Sequence, residues 1–364
     1  MERQEILKGL HATRTNGEQA ALATVVNVIG SAYRREGTTM LVREDGSYTC
    51  MVSGGCLEPE IVYLGQQVMT SGRSVLQRYN LDEERMFGLG IGCAGEMDLY
   101  IEPATNNPIL ARWHQSWRDF ELSALITRLD GSGARTFVTP EQVLGTLGAA
   151  QESAISQARK CLAQAHPRSG MIDLNGVLHF LNVNLPPPEL LLFGAAQDSV
   201  AVARLAGLAG FRVRVADMRA ALLTPARFPG AELHPVLPEH VGALPIHSHT
   251  FVVVMNHHFL LDLTCLRHAL RSNAPYIGLL GPRSRLDKLA LSARDDQAPF
   301  APQDLARIHN PIGLALGAEN TDEVALSVVG ELLARTRGFD GGFLDGHSGK
   351  IHTPRLQLSP LASD

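Results

Sequence analysis

The stretch that decides the fold is Leu190-Leu191-Leu192-Phe193-Gly194-Ala195-Ala196-Gln197-Asp198-Ser199, an apolar run that passes through one glycine into a polar segment. Similar apolar runs alternate with helical patterns further along the chain, which predicts strands at 190–193, 211–216, 232–236, 251–255 and 276–280 and helices at 199–209, 261–271 and 321–335. Strands that alternate with helices are typical of a parallel α/β sheet. The sequence therefore predicts a Rossmann-like fold for this half.

The loop at Gly194 occupies the place of a dinucleotide-binding glycine fingerprint, between the first strand and the first helix. Ala196 stands where a glycine normally lets a pyrophosphate approach the backbone, and Ser199 stands at the third glycine. Asp217 ends the second strand, where an acid could accept a hydrogen bond from a ribose hydroxyl. A nucleotide-like site and a turn that only connects strand and helix are both consistent with these residues.

Three consecutive prolines, Pro186-Pro187-Pro188, form an extended connector between two parts of the sequence that differ in their pattern of predicted strands and helices. The part before them predicts strands at 21–29 and 97–101, hairpins at 39–51 and 122–138, and helices at 59–69 and 141–165. We therefore predict an α/β protein with an N-terminal α/β domain containing hairpins (1–185), a C-terminal domain with a Rossmann-like parallel sheet (189–337), and a loosely ordered tail (338–364).

Composition excludes several classes of protein. The chain has 364 residues, 45% of them hydrophobic, and a net charge of −5, which gives no electrostatic basis for binding nucleic acid. The sequence contains no apolar run long enough to span a membrane, and residues 1–17 lack the apolar core of a signal peptide, so we do not expect export. Its five cysteines are odd in number and scattered, which favours reduced thiols in a cytoplasm.

Two glycine-rich turns each contain a cysteine. The turn Ser53-Gly54-Gly55-Cys56-Leu57-Glu58 runs into a helix, whose N-terminal amides could bind an anion and favour the thiolate form of Cys56. Four glycines surround Cys93 in residues 88–95, directly before a strand. Each cysteine could instead be a small buried residue behind a tight turn. The two thiols are too far apart in sequence for a local zinc motif.

Two further features follow predicted strands of the C-terminal half. His257 comes after the strand at 251–255, at the edge where open α/β sheets bind ligands. Arg283 and Arg285 come after the strand at 276–280 and could bind a phosphate, although a solvated basic loop is the plain alternative.

Seven stretches, in order over most of the chain, match a known family: GSAYRREGTTMLV (30–42), SGGCLE (53–58), LGIGCAGEMDLYIE (89–102), residues 193–219, VVVMNH (252–257), YIGLLGPRSR (276–285) and HNPIGLALGAENTDEVALSVVGEL (309–332). They resemble the XdhC/CoxI family of accessory proteins of xanthine dehydrogenase. The resemblance implies a cytoplasmic chaperone in purine catabolism that carries molybdenum cofactor (molybdopterin) as cargo and is not itself an enzyme. It also implies protection of the cofactor during sulfuration by a cysteine desulfurase and delivery to a xanthine dehydrogenase-like molybdenum hydroxylase. The protein could form a homodimer.

Motif matches carry over the cofactor-binding residues Arg34, Ser53, Gly54, Gly55, Cys56, Glu58, Gly92, Cys93, Gly95, Gly194, Asp217, His257 and Arg285. The resemblance further implies that Cys56 and Cys93 contact molybdenum. The chain departs from the family in two places. The family usually has Gly-Ala-Gly-His after the first Rossmann strand, where this chain has Gly-Ala-Ala-Gln, and Ala94 replaces a common glycine.

Two other functions remain open at the level of sequence. An NAD(P)-dependent oxidoreductase could use the Rossmann-like domain, although Ala196 counts against it. A catalytically idle docking protein could hold a hydroxylase and a sulfur donor together.

Overall fold

The structure is a computed structural model that describes residues 2–30, 34–80, 95–104, 107–164 and 166–345. The chain divides into two compact units, the first built on Met1–Pro186 and the second on Pro187–Ser359. Within the described residues, no helix has the length and apolarity needed to cross a bilayer. Gly92, Cys93 and most of the tail predicted at 338–364 lie outside the described residues.

The first unit begins with an antiparallel five-stranded sheet, with strand order β3-β2-β1-β5-β4. Its elements are α1 (Glu2–Asn16), β1 (Ala20–Gly30), β2 (Thr39–Arg43), β3 (Tyr48–Thr49), α2 (Glu58–Ser71), β4 (Val75–Asn80) and β5 (Gly95–Pro103). Helix α2 packs Ile61 and Val68 against the core of this sheet. The hairpin and the helix predicted in this part of the sequence are confirmed.

A second antiparallel sheet, ordered β8-β7-β6-β10-β9, completes the first unit. Its elements are α3 (Pro108–Arg118), β6 (Ser123–Arg128), β7 (Arg135–Val138), β8 (Val143–Thr146), α4 (Gln151–Leu162), β9 (Gly170–Leu174) and β10 (Val177–Asn184). The helix predicted over 141–165 was wrong before Gln151, where α4 begins. Strand β8 lies there because Gly145, with φ of 92°, approaches the carbonyl oxygen of Arg135 so closely that a Cβ atom would lie 2.5 Å from it.

The second unit is a six-stranded parallel sheet with strand order β13-β12-β11-β14-β15-β16, which confirms the predicted fold class. Its elements are β11 (Glu189–Phe193), α5 (Gln197–Leu208), β12 (Arg212–Asp217), β13 (Glu232–Pro235), β14 (Thr250–Val254), α6 (Phe259–Leu270), β15 (Tyr276–Leu279), α7 (Arg283–Asp295), α8 (Pro302–Ala306), β16 (Ile308–His309) and α9 (Thr321–Arg337).

Strand β11 is apolar throughout because both faces of the sheet are covered. Leu190 and Leu192 lie in a core shared with α5 and α9, whereas Leu191 and Phe193 lie in a core shared with α6 and α7. Chain order reverses between β11 and β14, so the ends of these strands flank the topological switch point, where open α/β sheets bind ligands.

Candidate functional site

The turn before α2 is held together by the carboxylate of Glu58, which is 1% exposed. Its Oε1 accepts hydrogen bonds from the N–H groups of Val52 at 3.1 Å and Ser53 at 2.8 Å, and its Oε2 accepts from the Ser53 hydroxyl. The Ser53 Oγ in turn accepts from the N–H of Leu57 at 3.1 Å. Glu58 thus fixes the turn from within.

Charge on Glu58 is stabilised despite its burial. Desolvation alone would raise its pKa, but the hydrogen bonds from Ser53 and Val52 outweigh that effect and lower the pKa. The carboxylate is therefore ionised at neutral pH and remains an acceptor for all three donors.

The next three residues form the open side of the turn. A Cβ atom added at Gly54 or Gly55 would meet nothing within 4 Å, and Gly55 has φ of 110°. The half-buried thiol of Cys56 donates to Ser53 Oγ at 3.4 Å. Among the described residues, the N–H groups of Gly54, Gly55 and Cys56 have no hydrogen-bond partner. The turn therefore presents a thiol next to three unpartnered backbone donors.

The other residues predicted for a site in the first unit are placed as follows. Arg34 binds Glu2 Oε1 through a terminal guanidinium nitrogen at 2.7 Å, and Gly95 begins β5 opposite Gly30. Because residues 81–94 are not described, the predicted contact of both Cys56 and Cys93 with molybdenum stays a prediction. Within the described ranges, no group of three His, Cys, Asp or Glu side chains could hold a metal ion.

In the second unit, Gly194 is required by the protein itself. Its φ is 119°, and a Cβ atom would lie 2.5 Å from the carbonyl oxygen of Met255, at the end of β14. The close approach of these two strand ends excludes any side chain at this position. The glycine is therefore explained without a bound phosphate.

Asp217, predicted to contact a ribose, already has partners on both oxygens. Oδ2 accepts from the N–H of Ala195 at 2.7 Å and from Arg219 at 2.7 Å, and Oδ1 accepts from the N–H and Nε of Arg219 at 2.7 and 3.0 Å. Burial would raise its pKa, but these hydrogen bonds outweigh burial and lower it. The carboxylate ties the loop after β11 to Arg219.

Arg285, predicted as a phosphate ligand, is bound to Asp262 in the structure. Its Nε lies 2.9 Å from Asp262 Oδ2, and a terminal nitrogen of the guanidinium contacts the same oxygen. Asp262 is 1% exposed, and its Oδ1 accepts from the backbone and side-chain amides of Asn256. Arg283 remains largely exposed, so it is the freer of the two guanidinium groups.

His257 lies directly after β14 and is hydrogen-bonded to a residue that sequence reasoning missed. Its Nε2 lies 2.6 Å from Oδ2 of Asp198, a residue in the first turn of α5. The sequence shows only that each of the two residues follows a strand. An acid after one strand and a histidine after another meet only when the two strands are neighbours. The strand order β11-β14 makes them neighbours.

Comparison with known proteins gives a consistent result. The model of the XdhC and CoxI family matches residues 13–80, and that of the XdhC Rossmann domain matches residues 190–332. A probable xanthine dehydrogenase subunit of Bacillus subtilis (strain 168) is 31% identical over 336 residues, which cover 89% of this chain and 95% of that protein. The molybdenum cofactor insertion chaperone PaoD of Escherichia coli (strain K12) is 26% identical over 322 residues, 87% of this chain and 83% of PaoD.

A solved structure has the same fold. The crystal structure of a xanthine dehydrogenase from Bacillus halodurans superposes with a TM-score of 0.76 at 27% identity, covering 93% of this chain and 96% of that one.

Proposed function

Because this chain belongs to the XdhC and CoxI family, we propose that it binds molybdenum cofactor as cargo and supports its insertion as an accessory protein, without turning over a metabolite itself. The name of PaoD, a molybdenum cofactor insertion chaperone, supports this role, since PaoD aligns with 87% of the chain.

The observation that carries the proposal is the turn at residues 53–58. Molybdenum cofactor has an anionic phosphate at one end and a metal bound by sulfur at the other. Unpartnered backbone amides in a glycine-rich turn suit an anion, and a thiol suits a soft metal centre. Gly54, Gly55 and Cys56 present these groups together, and buried Glu58 keeps them in place.

We propose the finer steps of this role from the resemblance to the family. The protein protects the cofactor while a cysteine desulfurase supplies its terminal sulfido ligand, and then delivers it to a xanthine dehydrogenase-like molybdenum hydroxylase in the cytoplasm. Arg34 and Cys93 belong to the proposed binding surface of the first unit.

In the part of the second unit that the structure describes, nothing favours a nicotinamide nucleotide. Asp217 occupies the N–H of Ala195, and the carboxylate of Asp198 lies in the first turn of α5, where a pyrophosphate would need positive potential. An oxidoreductase function therefore has no geometric support.

The proposal is tested by anaerobic incubation of the protein with released molybdenum cofactor, followed by gel filtration and assay of molybdenum and pterin in the protein peak. We expect the wild-type protein to retain both. Cys56→Ala should lose molybdenum, whereas Cys161→Ala, which removes a half-buried thiol on α4, should retain it. A protein peak without pterin, together with tight NADH binding, would reverse the assignment.

A further inference from the structure

Two side chains meet at the switch point of the parallel sheet. Helix α5 leaves β11 toward one face of the sheet and α6 leaves β14 toward the other, as their separate hydrophobic cores show. The crevice between the two strand ends is the usual ligand position in open α/β folds. Asp198 lies on the β11 side of this crevice and His257 on the β14 side.

The hydrogen bond between them determines which ring nitrogen of His257 faces Asp198. A carboxylate only accepts, so Nε2 of His257 carries the proton that bridges the 2.6 Å to Asp198 Oδ2. In the neutral form of the ring, the lone pair is therefore on Nδ1. Within the described part of the chain Nδ1 has no partner, and the side chain is 56% exposed. His257 thus offers an oriented acceptor to the crevice.

The backbone of His257 has an energetically unfavourable conformation. Its φ of 56° lies in the left-handed region that residues other than glycine seldom adopt. The preceding residue, Asn256, is anchored through its backbone and side-chain amides to Asp262. Strained residues held by their surroundings are concentrated at functional sites.

Local electrostatics select the kind of ligand. Asp198 places a negative charge at the N-terminus of α5, with its Oδ1 accepting the N–H of Ser199 at 2.9 Å. Asp217 takes the N–H of Ala195, and the methyl group of Ala196 stands where a phosphate would approach. An anion is therefore disfavoured, whereas a neutral ring that donates an N–H matches the Nδ1 acceptor.

We infer that the Asp198–His257 pair binds the pterin ring of molybdenum cofactor, with Nδ1 of His257 accepting a hydrogen bond from a ring N–H and Asp198 acting as the positioning residue. This inference rests on the proposed function and adds to it a position within the second unit that binds a pterin.

The binding test uses the full-length protein and 6-hydroxymethylpterin, which has neither metal nor phosphate, in a fluorescence titration. Asp198→Asn and His257→Asn should each weaken binding by about tenfold, the effect of one lost hydrogen bond. Asparagine tolerates a positive φ, so His257→Asn preserves the backbone. His258→Gln, which removes the neighbouring exposed imidazole, should bind like wild type. Inorganic phosphate should not compete.

A second measurement separates positioning from mere stability. The ¹⁵N NMR chemical shifts of the His257 ring, in protein labelled with ¹⁵N-histidine, should show a proton on Nε2 in the wild type. In Asp198→Asn the amide can donate to Nε2, and the proton should move to Nδ1. Thermal unfolding of each variant checks that it is folded.

Several outcomes would overturn the inference: no binding of the pterin, unchanged pterin binding in both variants, displacement by phosphate, or a wild-type proton on Nδ1. If the wild type still retains molybdenum cofactor on gel filtration, the proposed function survives that failure. If the wild type retains no cofactor at all, the proposed function fails and the inference fails with it.

Discussion

The guanidinium of Arg285 neutralises the buried carboxylate of Asp262, and that carboxylate in turn anchors Asn256 beside His257. The pair therefore links the start of α7 to the loop after β14. A residue that looks like a phosphate ligand in the sequence is, in the structure, part of the support of the crevice at the switch point.

Removing the guanidinium should destabilise the second unit. Arg285→Ala leaves Asp262 buried without its counter-charge, and we expect a loss of about 3 kcal/mol, typical of breaking a buried pair. Arg283→Ala is the matched control, because Arg283 is exposed and should change stability little. Denaturant unfolding measures both, and equal effects would show that the Arg285 pair contributes no more than a surface contact.

A buried histidine of the first unit should make stability depend on pH. His114 on α3 is 3% exposed, neither ring nitrogen has a partner among the described residues, and its ring packs edge-on against Trp117. Burial first, and then the positive charges of Arg14 and Arg118, lower its pKa to about 3. The unfolded chain, with a histidine pKa near 6.5, binds this proton more readily.

The folded state should therefore lose stability as the pH falls below about 6.5, by about 2 kcal/mol between pH 7 and 5. His114→Phe should remove that part of the pH dependence, whereas His11→Phe, at an exposed position of α1, should leave it intact. Thermal unfolding midpoints of the wild type and both variants, measured at the two pH values, test this prediction. A His114→Phe variant as sensitive to acid as the wild type would contradict the assignment.

Periodicity predicted the second unit well because each of its main strands is buried on both faces and each helix has one apolar stripe. The prediction from periodicity failed where the position of a strand depends on its pairing with another strand. The edge strand β8 contains only Val143 and Leu144 as large apolar residues, and its position depends on Gly145 meeting β7. Arg214, a residue type usually found in solvent, is buried in β12 against Glu189 at 2.9 Å.

The sequence identified candidate site residues more readily than their partners. His257 was predicted from its place after a strand, but Asp198 becomes its partner only through the adjacency of β11 and β14. Gly194, Asp217 and Arg285 were predicted to touch a ligand, and their visible partners are Met255, Arg219 and Asp262. Such partners depend on tertiary distance, which spacing along a chain does not contain.

The thiols should differ in reactivity. Cys265 is buried, and desolvation raises its pKa to about 12, so it should resist alkylation until the protein unfolds. Cys56 and Cys161 are both half-buried, but only Cys56 lies in an open turn, next to two glycines at which a Cβ atom would meet nothing within 4 Å, so a reagent should reach its sulfur more readily. Peptide mapping after timed iodoacetamide treatment should show Cys56 modified first. Equal rates for Cys56 and Cys161 would show that the open turn does not make the thiol more accessible.

Restoring the missing fingerprint glycine should not create a dinucleotide site. Ala196→Gly removes the methyl group that stands in the path of a pyrophosphate, and glycine is a better helix N-cap than alanine, so the variant should fold normally. Two obstacles remain, because Asp217 still holds the N–H of Ala195 at 2.7 Å and Asp198 still places a carboxylate in the first turn of α5. We therefore expect no saturable change in NADH fluorescence with wild type or variant, and an unchanged thermal midpoint.

The double variant Asp198→Asn with Ala196→Gly is the control, since it removes the charge as well as the methyl group. Saturable NADH binding by Ala196→Gly alone would mean that one methyl group was the whole barrier, whereas binding only by the double variant would locate the barrier in the Asp198 carboxylate.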